Sequence, residues 1–184
     1  DVPSVAKSVT CTGYINTLTM TSTLTVSGNV TLEVGMTVAG ASALIVDATS
    51  TLTSAGKTWG RPLTLSGSLT FTFADNWSVT NFTMGNNSPV TIAGGRTITI
   101  TGNFSKLGTS YAIAVGTTFT LAGTGTWSDA SATNGGVGGT GTPCNFVINT
   151  AGTITLDAAD GPKMFGCVFT YTAGVVVTTG STVG

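Results

Sequence analysis

The chain has 184 residues, of which 7% are charged, with 6 basic and 7 acidic side chains, no histidine and a formal net charge of −1. Globular chains carry roughly 25% charged residues; here no Lys/Arg cluster exists for tracking phosphates, and without histidine neither a Ser-His-Asp triad nor a His-based zinc site can form. Apolar residues still reach 41%, enough for a core, and the missing charge is replaced mainly by 39 Thr and 26 Gly.

No run approaches the ~18 consecutive apolar residues of a membrane-spanning helix, so membrane insertion is not expected. The length suits one domain, or a core with a small appendage. The first residue is Asp1 rather than Met, and the last, Gly184, follows the strand-like run Val175–Thr179. Both ends are therefore expected to be processed or cut from a longer chain. Low Lys and Glu with high Thr and Gly favours an extracellular or virion protein over a cytosolic enzyme.

Residues 1–16 carry no clear period and are expected to form an N-terminal cap or docking arm. From residue 17 the alternation is that of strands. Residues 17–26 read TLTMTSTLTV, residues 63–73 LTLSGSLTFTF and residues 97–101 TITIT. A period of two puts Leu, Ile, Val and Phe on one face and hydroxyls on the other. Thr, β-branched and polar, suits the outer face. No long window carries a helical stripe, and Ala-rich pieces such as residues 39–43 are too short to nucleate one.

Within 17–127 a short phrase recurs: apolar, Thr, apolar, a small residue, Gly. It stands at Leu24–Gly28, Leu63–Gly67, Val90–Gly94, Ile98–Gly102 and Phe119–Gly123, with a shorter relative at Thr37–Gly40. Each copy predicts a short strand stopped by a glycine turn. The intervals between glycines suggest coils of roughly 18–22 residues. Residues 128–143, SDASATNGGVGGTGTP, break the pattern and predict a Gly-rich surface loop, with a hinge or binding loop as the alternative.

Residues 144–184 are expected to add C-terminal β-coils. CNFVINTAGTIT (144–155) aligns with CVFTYTAGVVV (167–177): Cys144 with Cys167, Phe146 with Phe169, Ile148 with Tyr171, then Ala151-Gly152 with Ala173-Gly174 after a one-residue slip. A unit of that length cannot bury its own face and should stack on its neighbour. The predicted fold is all-β, a parallel β-solenoid with short strands and Gly turns. An antiparallel β-sandwich is the alternative, disfavoured because two-residue hairpin signals occur only at Asn134-Gly135 and Asp160-Gly161. Eight or nine coils about 4.8 Å apart would make a rod roughly 40 Å long.

Several residues are candidates for function. Stacked in adjacent coils, Cys144 and Cys167 would lie within disulfide reach, so a bridge and a pair of buried free thiols are both open. Cys11 is expected to be unpaired. Asp157 and Asp160 could bind calcium or act as acid and base in glycoside cleavage, against the simpler reading of a solvated turn. Trp59, Trp77 and Trp127, with Arg61 beside the first, could stack on sugar rings or contact a protein; the alternative is packing at coil ends and corners. Tyr14, Tyr111 and Tyr171 extend that aromatic set. Five Asn-x-Ser/Thr matches, at Asn29, Asn76, Asn81, Asn86 and Asn103, carry little information in a chain so rich in Ser and Thr. Thr-x-Thr runs on a flat face could bind ice, but their uneven spacing argues against it. No cofactor, metal or catalytic residue is expected.

The segments TLTVSGNVTL (23–32), PLTLSGSLTF (62–71), RTITITGNFS (96–105) and TFTLAGTGTW (118–127) resemble repeats of parallel β-solenoid surface proteins of phages and bacteria, either capsid decoration and fibre proteins or adhesin stalks. The likeness runs with interruptions from Thr17 to Thr179 and carries no catalytic signature. It implies a non-enzymatic structural or attachment protein on a virion surface that presents a rigid β-rod. A bacterial extracellular adhesin stalk at the cell surface, or a polysaccharide-binding or polysaccharide-degrading β-helix protein, are the alternatives. The partners implied are other structural proteins, further copies of the chain (a trimer, for instance) or a surface glycan.

Overall fold

The structure is a computed structural model; it describes residues 5–85, 90–107, 111–129, 144–157 and 167–179. Along the chain the strands are β1 (Val5–Ala6), β2 (Val9–Thr10), β3 (Thr17–Met20), β4 (Leu24–Val26), β5 (Val30–Thr31), β6 (Thr37–Gly40), β7 (Leu44–Val46) and β8 (Ser50–Thr53). Then come β9 (Leu63–Leu65), β10 (Thr70–Phe73), β11 (Trp77–Val79), β12 (Phe82–Met84), β13 (Val90–Ala93), β14 (Thr97–Ile100), β15 (Phe104–Lys106), β16 (Tyr111–Ile113), β17 (Thr118–Leu121) and β18 (Gly125–Asp129). Two long strands close the series, β19 (Asn145–Leu156) and β20 (Val168–Thr178).

Every described strand pair is parallel, and most partners are three strands apart in the chain. The chain is therefore a three-sided parallel β-solenoid. The first face stacks β1, β4, β7, β9, β12, β15 and β18, and then the second halves of β19 and β20. The second stacks β2, β5, β8, β10, β13 and β16. The third begins with β3 and β6 and resumes with β11, β14, β17 and the first halves of β19 and β20. Because β19 and β20 run around a corner, they join the first and third faces into one sheet.

The coil length follows from the register. It is 20 residues from Val5 to Thr25 and from Thr25 to Ile45, and 19 from Ile45 to Thr64 and from Thr64 to Thr83. It then grows to 22 (Thr83 to Ser105), 23 (Ser105 to Ser128) and 29 (Gly125 to Ile154), before returning to 22 (Ile154 to Val176). Nine stacked segments on the first face span about 38 Å at the usual strand spacing of about 4.8 Å.

Inward residues form ladders. Leu24, Leu44, Leu63, Phe82, Phe104, Trp127 and Leu156 follow one another up the first face. Trp77, Ile98, Phe119, Phe146 and Phe169 do so on the third. Their outward neighbours are mostly hydroxyls, as in Ser78, Thr99 and Thr120. Glycines serve the corners. At Gly94 φ is +105°, and a Cβ would sit 2.1 Å from the Phe73 carbonyl oxygen of the coil below, so the turn requires the residue that has none.

The described parts of 1–16 belong to the first coil, where β1 and β2 pair directly with β4 and β5. Of the predicted loop 128–143, Ser128 and Asp129 belong to β18; residues 130–143 lie outside the described residues. The C-terminal coils continue the same solenoid, with Phe146 opposite Phe169 and Ile148 opposite Tyr171, followed by a register shift.

Candidate functional site

The three tryptophans are core residues. Trp59, Trp77 and Trp127 are 2%, 1% and 1% exposed, which overturns their reading as a glycan- or protein-contacting surface. Parity explains the correction: in Trp77-Ser78-Val79 and Thr126-Trp127-Ser128 the small hydroxyl residues take the outward positions and the rings turn in. Trp59 and Trp77 pack together, with centroids 6.0 Å apart at 40°. Trp127 stacks on Phe146 at 4.4 Å and 14°. All three indole Nε1 atoms are buried without a hydrogen-bond partner; such a donor costs about 1–3 kcal/mol, which packing has to offset. Half-buried Arg61 is turned to its own corner, Nη1 donating to the Gly60 carbonyl at 2.7 Å.

The acidic candidates do not form a described pair. Asp157 is half-buried, and its backbone N–H donates to the Trp127 carbonyl at 2.9 Å; Asp160 lies outside the described residues. Two other acids act as caps between coils. Asp75 accepts from the Ser54 and Ala55 N–H groups at 2.8 and 2.7 Å, fixing a corner where Ala55 has φ +52°. Among the described residues, no three of His, Cys, Asp and Glu gather in a group that could hold a metal.

Glu33 accepts from the Gly13 N–H of the preceding coil at 3.0 Å and from its neighbour Val34 at 2.8 Å. These backbone donors hold its carboxyl below the ordinary glutamate range. A group with a depressed folded-state pKa contributes stability above its unfolded pKa of about 4.3 and loses it as pH falls through the folded value. The wild type should therefore be more stable than Glu33→Gln at pH 6, and the gap should close on acidification below pH 4. Melting curves of both proteins from pH 6 to pH 2 check this; a gap that is constant with pH would refute it. The nearby Cys11 thiol is pushed up by burial and, secondarily, by Glu33. It lines an open depression of about 420 Å³ with Thr10, Thr12, Gly13, Tyr14 and Leu18.

Four of the five Asn-x-Ser/Thr asparagines have a structural use that spacing did not reveal. The Oδ1 atoms of Asn29, Asn76, Asn81 and Asn103 each accept a backbone N–H one coil on, from Thr51, Thr97, Asn103 and Thr126, at 2.8–2.9 Å. Asn86 lies outside the described residues. Replacing Asn103 by Ala should lower stability by about 0.5–1 kcal/mol, while Asn103→Asp, which keeps the acceptor, should retain most of it. Coincident denaturation midpoints for Asn103→Ala and wild type would show that the ladder carries no weight.

Lys106 was not singled out by sequence. It is fully buried at the ladder position held by Met84 in the coil below, with Nζ 5.2 Å from the Tyr111 ring centroid. The only available signal was parity, since Phe104-Ser105-Lys106 places Lys106 on the same side as Phe104. On the third face, Thr97 and Thr99 stack on Thr118 and Thr120, but the next rung carries Asn145 and Val147. The regular Thr pairs therefore extend over two coils only.

The distinctive surface is the last coil. Cys144 and Cys167 are joined in a disulfide, with Cα atoms 4.5 Å apart, and this bond ties β20 to the coil below. Phe146 is 0% exposed but Phe169 above it is 46% exposed; Ile148 is 0% but Tyr171 is 55%; Ile154 is 1% but Val176 is 38%. Val168, Val175 and Val177 are exposed on the outer side. The Tyr171 hydroxyl donates to the Gly174 carbonyl. β20 thus leaves its inward ladder positions uncovered.

Comparison of the chain with protein-family models, characterised proteins and solved structures finds no match, so the chemistry of this surface is read from its residues.

Proposed function

We propose that the chain is a non-enzymatic structural or attachment protein of a virion surface, a rigid rod whose ends and corners make its contacts. The observation that supports this reading most is a solenoid filled by its own side chains. From Met20 to Ile154 the inward residues form one continuous core, in which the large rings occupy the interior rather than a binding groove. Such a body is suited to holding a fixed length and displaying its ends. Its outer face of hydroxyls, nearly free of charge, supports an extracellular or particle-surface setting. An exposed β edge invites further pairing, so the uncovered strand β20 supports a protein contact on that side, whether with another chain or with a further coil.

Immunogold labelling of native material with an antibody to this chain tests the reading. Label on particles supports it; label confined to bacterial cell surfaces supports the adhesin-stalk alternative instead. A glycan array tests the sugar-binding alternative, which now has to use corners and ends because the tryptophans are buried.

A further inference from the structure

We infer that the second face of the rod binds ice, through a fixed lattice of threonine hydroxyls and methyls on which water orders as it does at the surface of an ice crystal. This activity goes beyond a structural role and is independent of which particle carries the rod.

Along the chain the Thr-x-Thr runs are unevenly spaced, which argues against ice binding, but the register removes the unevenness. Thr10, Thr31 and Thr53 stack in one column of the second face. Thr51 and Thr72 stack in the next column, and Thr70 and Thr91 in a third. Stacked neighbours are 21 or 22 residues apart throughout, and none of these strand pairs has a register shift. The irregular intervals in the sequence come from mixing steps within a coil with steps between coils.

Thr51 and Thr53 share β8, and Thr70 and Thr72 share β10. Alternate residues of a strand are about 6.7 Å apart, and successive coils about 4.8 Å apart. Over five coils and three columns this makes a lattice of roughly 19 Å by 13 Å. Both repeats are close to the oxygen repeats on a prism face of hexagonal ice. A β-branched side chain has few χ1 choices, so a column of threonines can repeat one orientation of hydroxyl and methyl.

The hydroxyls of this lattice are free for water. None of the seven makes a hydrogen bond to a described residue; where Thr51 and Thr70 take part, it is through their backbone N–H groups. On the other faces the hydroxyl rows are broken. Ser128 Oγ donates to Ser105 Oγ at 3.0 Å on the first face. On the third, Thr118 Oγ1 accepts from Asn145 Nδ2 at 3.3 Å, and Val147 follows Thr120.

The lattice is also rigid and unobstructed. Behind it Val30, Leu52, Phe71, Phe73, Val90 and Ile92 are buried, so the spacing is set before water arrives and little ordering remains to be done on binding. No charged residue, with a hydration shell of its own, lies in β2, β5, β8, β10, β13 or β16. Ala93 above Thr72 and Ala112 above Thr91 carry only small side chains at the lattice margin.

The test uses the full chain. Nanolitre osmometry should show thermal hysteresis, and recrystallisation of ice in frozen sucrose should slow. Thr51→Lys and, separately, Thr72→Lys, both in the middle of the lattice, should each reduce the hysteresis about fivefold or more. Thr99→Lys, an outward position of the third face between Ser78 and Thr120, should retain it. Circular dichroism melts matching wild type confirm that the variants are folded. A wild type without hysteresis or recrystallisation inhibition would overturn the proposal, as would full activity in both second-face variants or an equal loss in Thr99→Lys. Each of these results would leave the rod reading of the chain intact.

Discussion

Replacing Phe146 by Ala is expected to be the most damaging single core substitution, at about 3–5 kcal/mol. The ring is fully buried and stands at a junction of ladders. It stacks on Trp127 at 4.4 Å and on Phe119 at 5.0 Å, and meets Phe104 edge-on at 5.4 Å. Those partners are themselves in contact, Phe104 with Phe119 and Phe104 with Trp127. Removing the central ring leaves a cavity that three large, mutually braced rings cannot easily fill. Thr120, one register step away on the outward side, provides the control, since surface changes usually stay within about 0.5 kcal/mol. Urea denaturation of Phe146→Ala and Thr120→Ala alongside wild type checks the pair. A loss below about 1 kcal/mol for Phe146→Ala would show that the aromatic cluster does not hold these coils.

The second large effect is expected from the disulfide. Cys144 and Cys167 are 23 residues apart, and closing a loop of that length removes about 3 kcal/mol worth of unfolded-state freedom in the chain-entropy account. The bond lies between the last two coils, where β20 has a neighbour on one side only. The double variant Cys144→Ala/Cys167→Ala should therefore release β20 before the body unfolds. Hydrogen exchange should accelerate in Val168–Thr178 and stay near wild-type rates in β9 to β17. Unchanged exchange in β20 would show that strand pairing alone secures the last coil.

Much of the fold was legible because alternation is a direct consequence of strand geometry. The C-terminal alignment reproduced the pairing of Phe146 with Phe169 and of Ile148 with Tyr171, since equivalent residues in a solenoid must stack. The three-sided section was not legible, and the glycines show why. Gly28 and Gly67 follow strands of the first face, Gly94 one of the second, and Gly102 and Gly123 strands of the third. Most coils carry three similar strands, so the intervals mix whole coils with steps between faces. Only Gly102 to Gly123, on one face, gives a single coil.

The site was harder to read than the fold. A ring beside Arg61 or Asp75 suits sugar binding, which makes the tryptophans surface candidates, while parity within their own strands places them inside. The exposure of Phe169 and Tyr171 could not be found from composition at all. Phe169 and Tyr171 have the same residue character as the buried Phe146 and Ile148; only their place in the last coil exposes them. The asparagine acceptors were hidden because their partners lie 21–23 residues away, a distance that has meaning only once the coil length is known.

The disulfide also has a mechanical consequence. Adjacent coils are joined by hydrogen bonds running along the rod, so tension on the chain end peels one coil at a time, like a cord leaving a spool. Peeling from the C-terminal side would stop at Cys167, where the load passes across the covalent bond to Cys144. The residues between them are then shielded from the pull, and about 80 Å of chain cannot pay out. The covalent bond thus reinforces the last described coil against tearing.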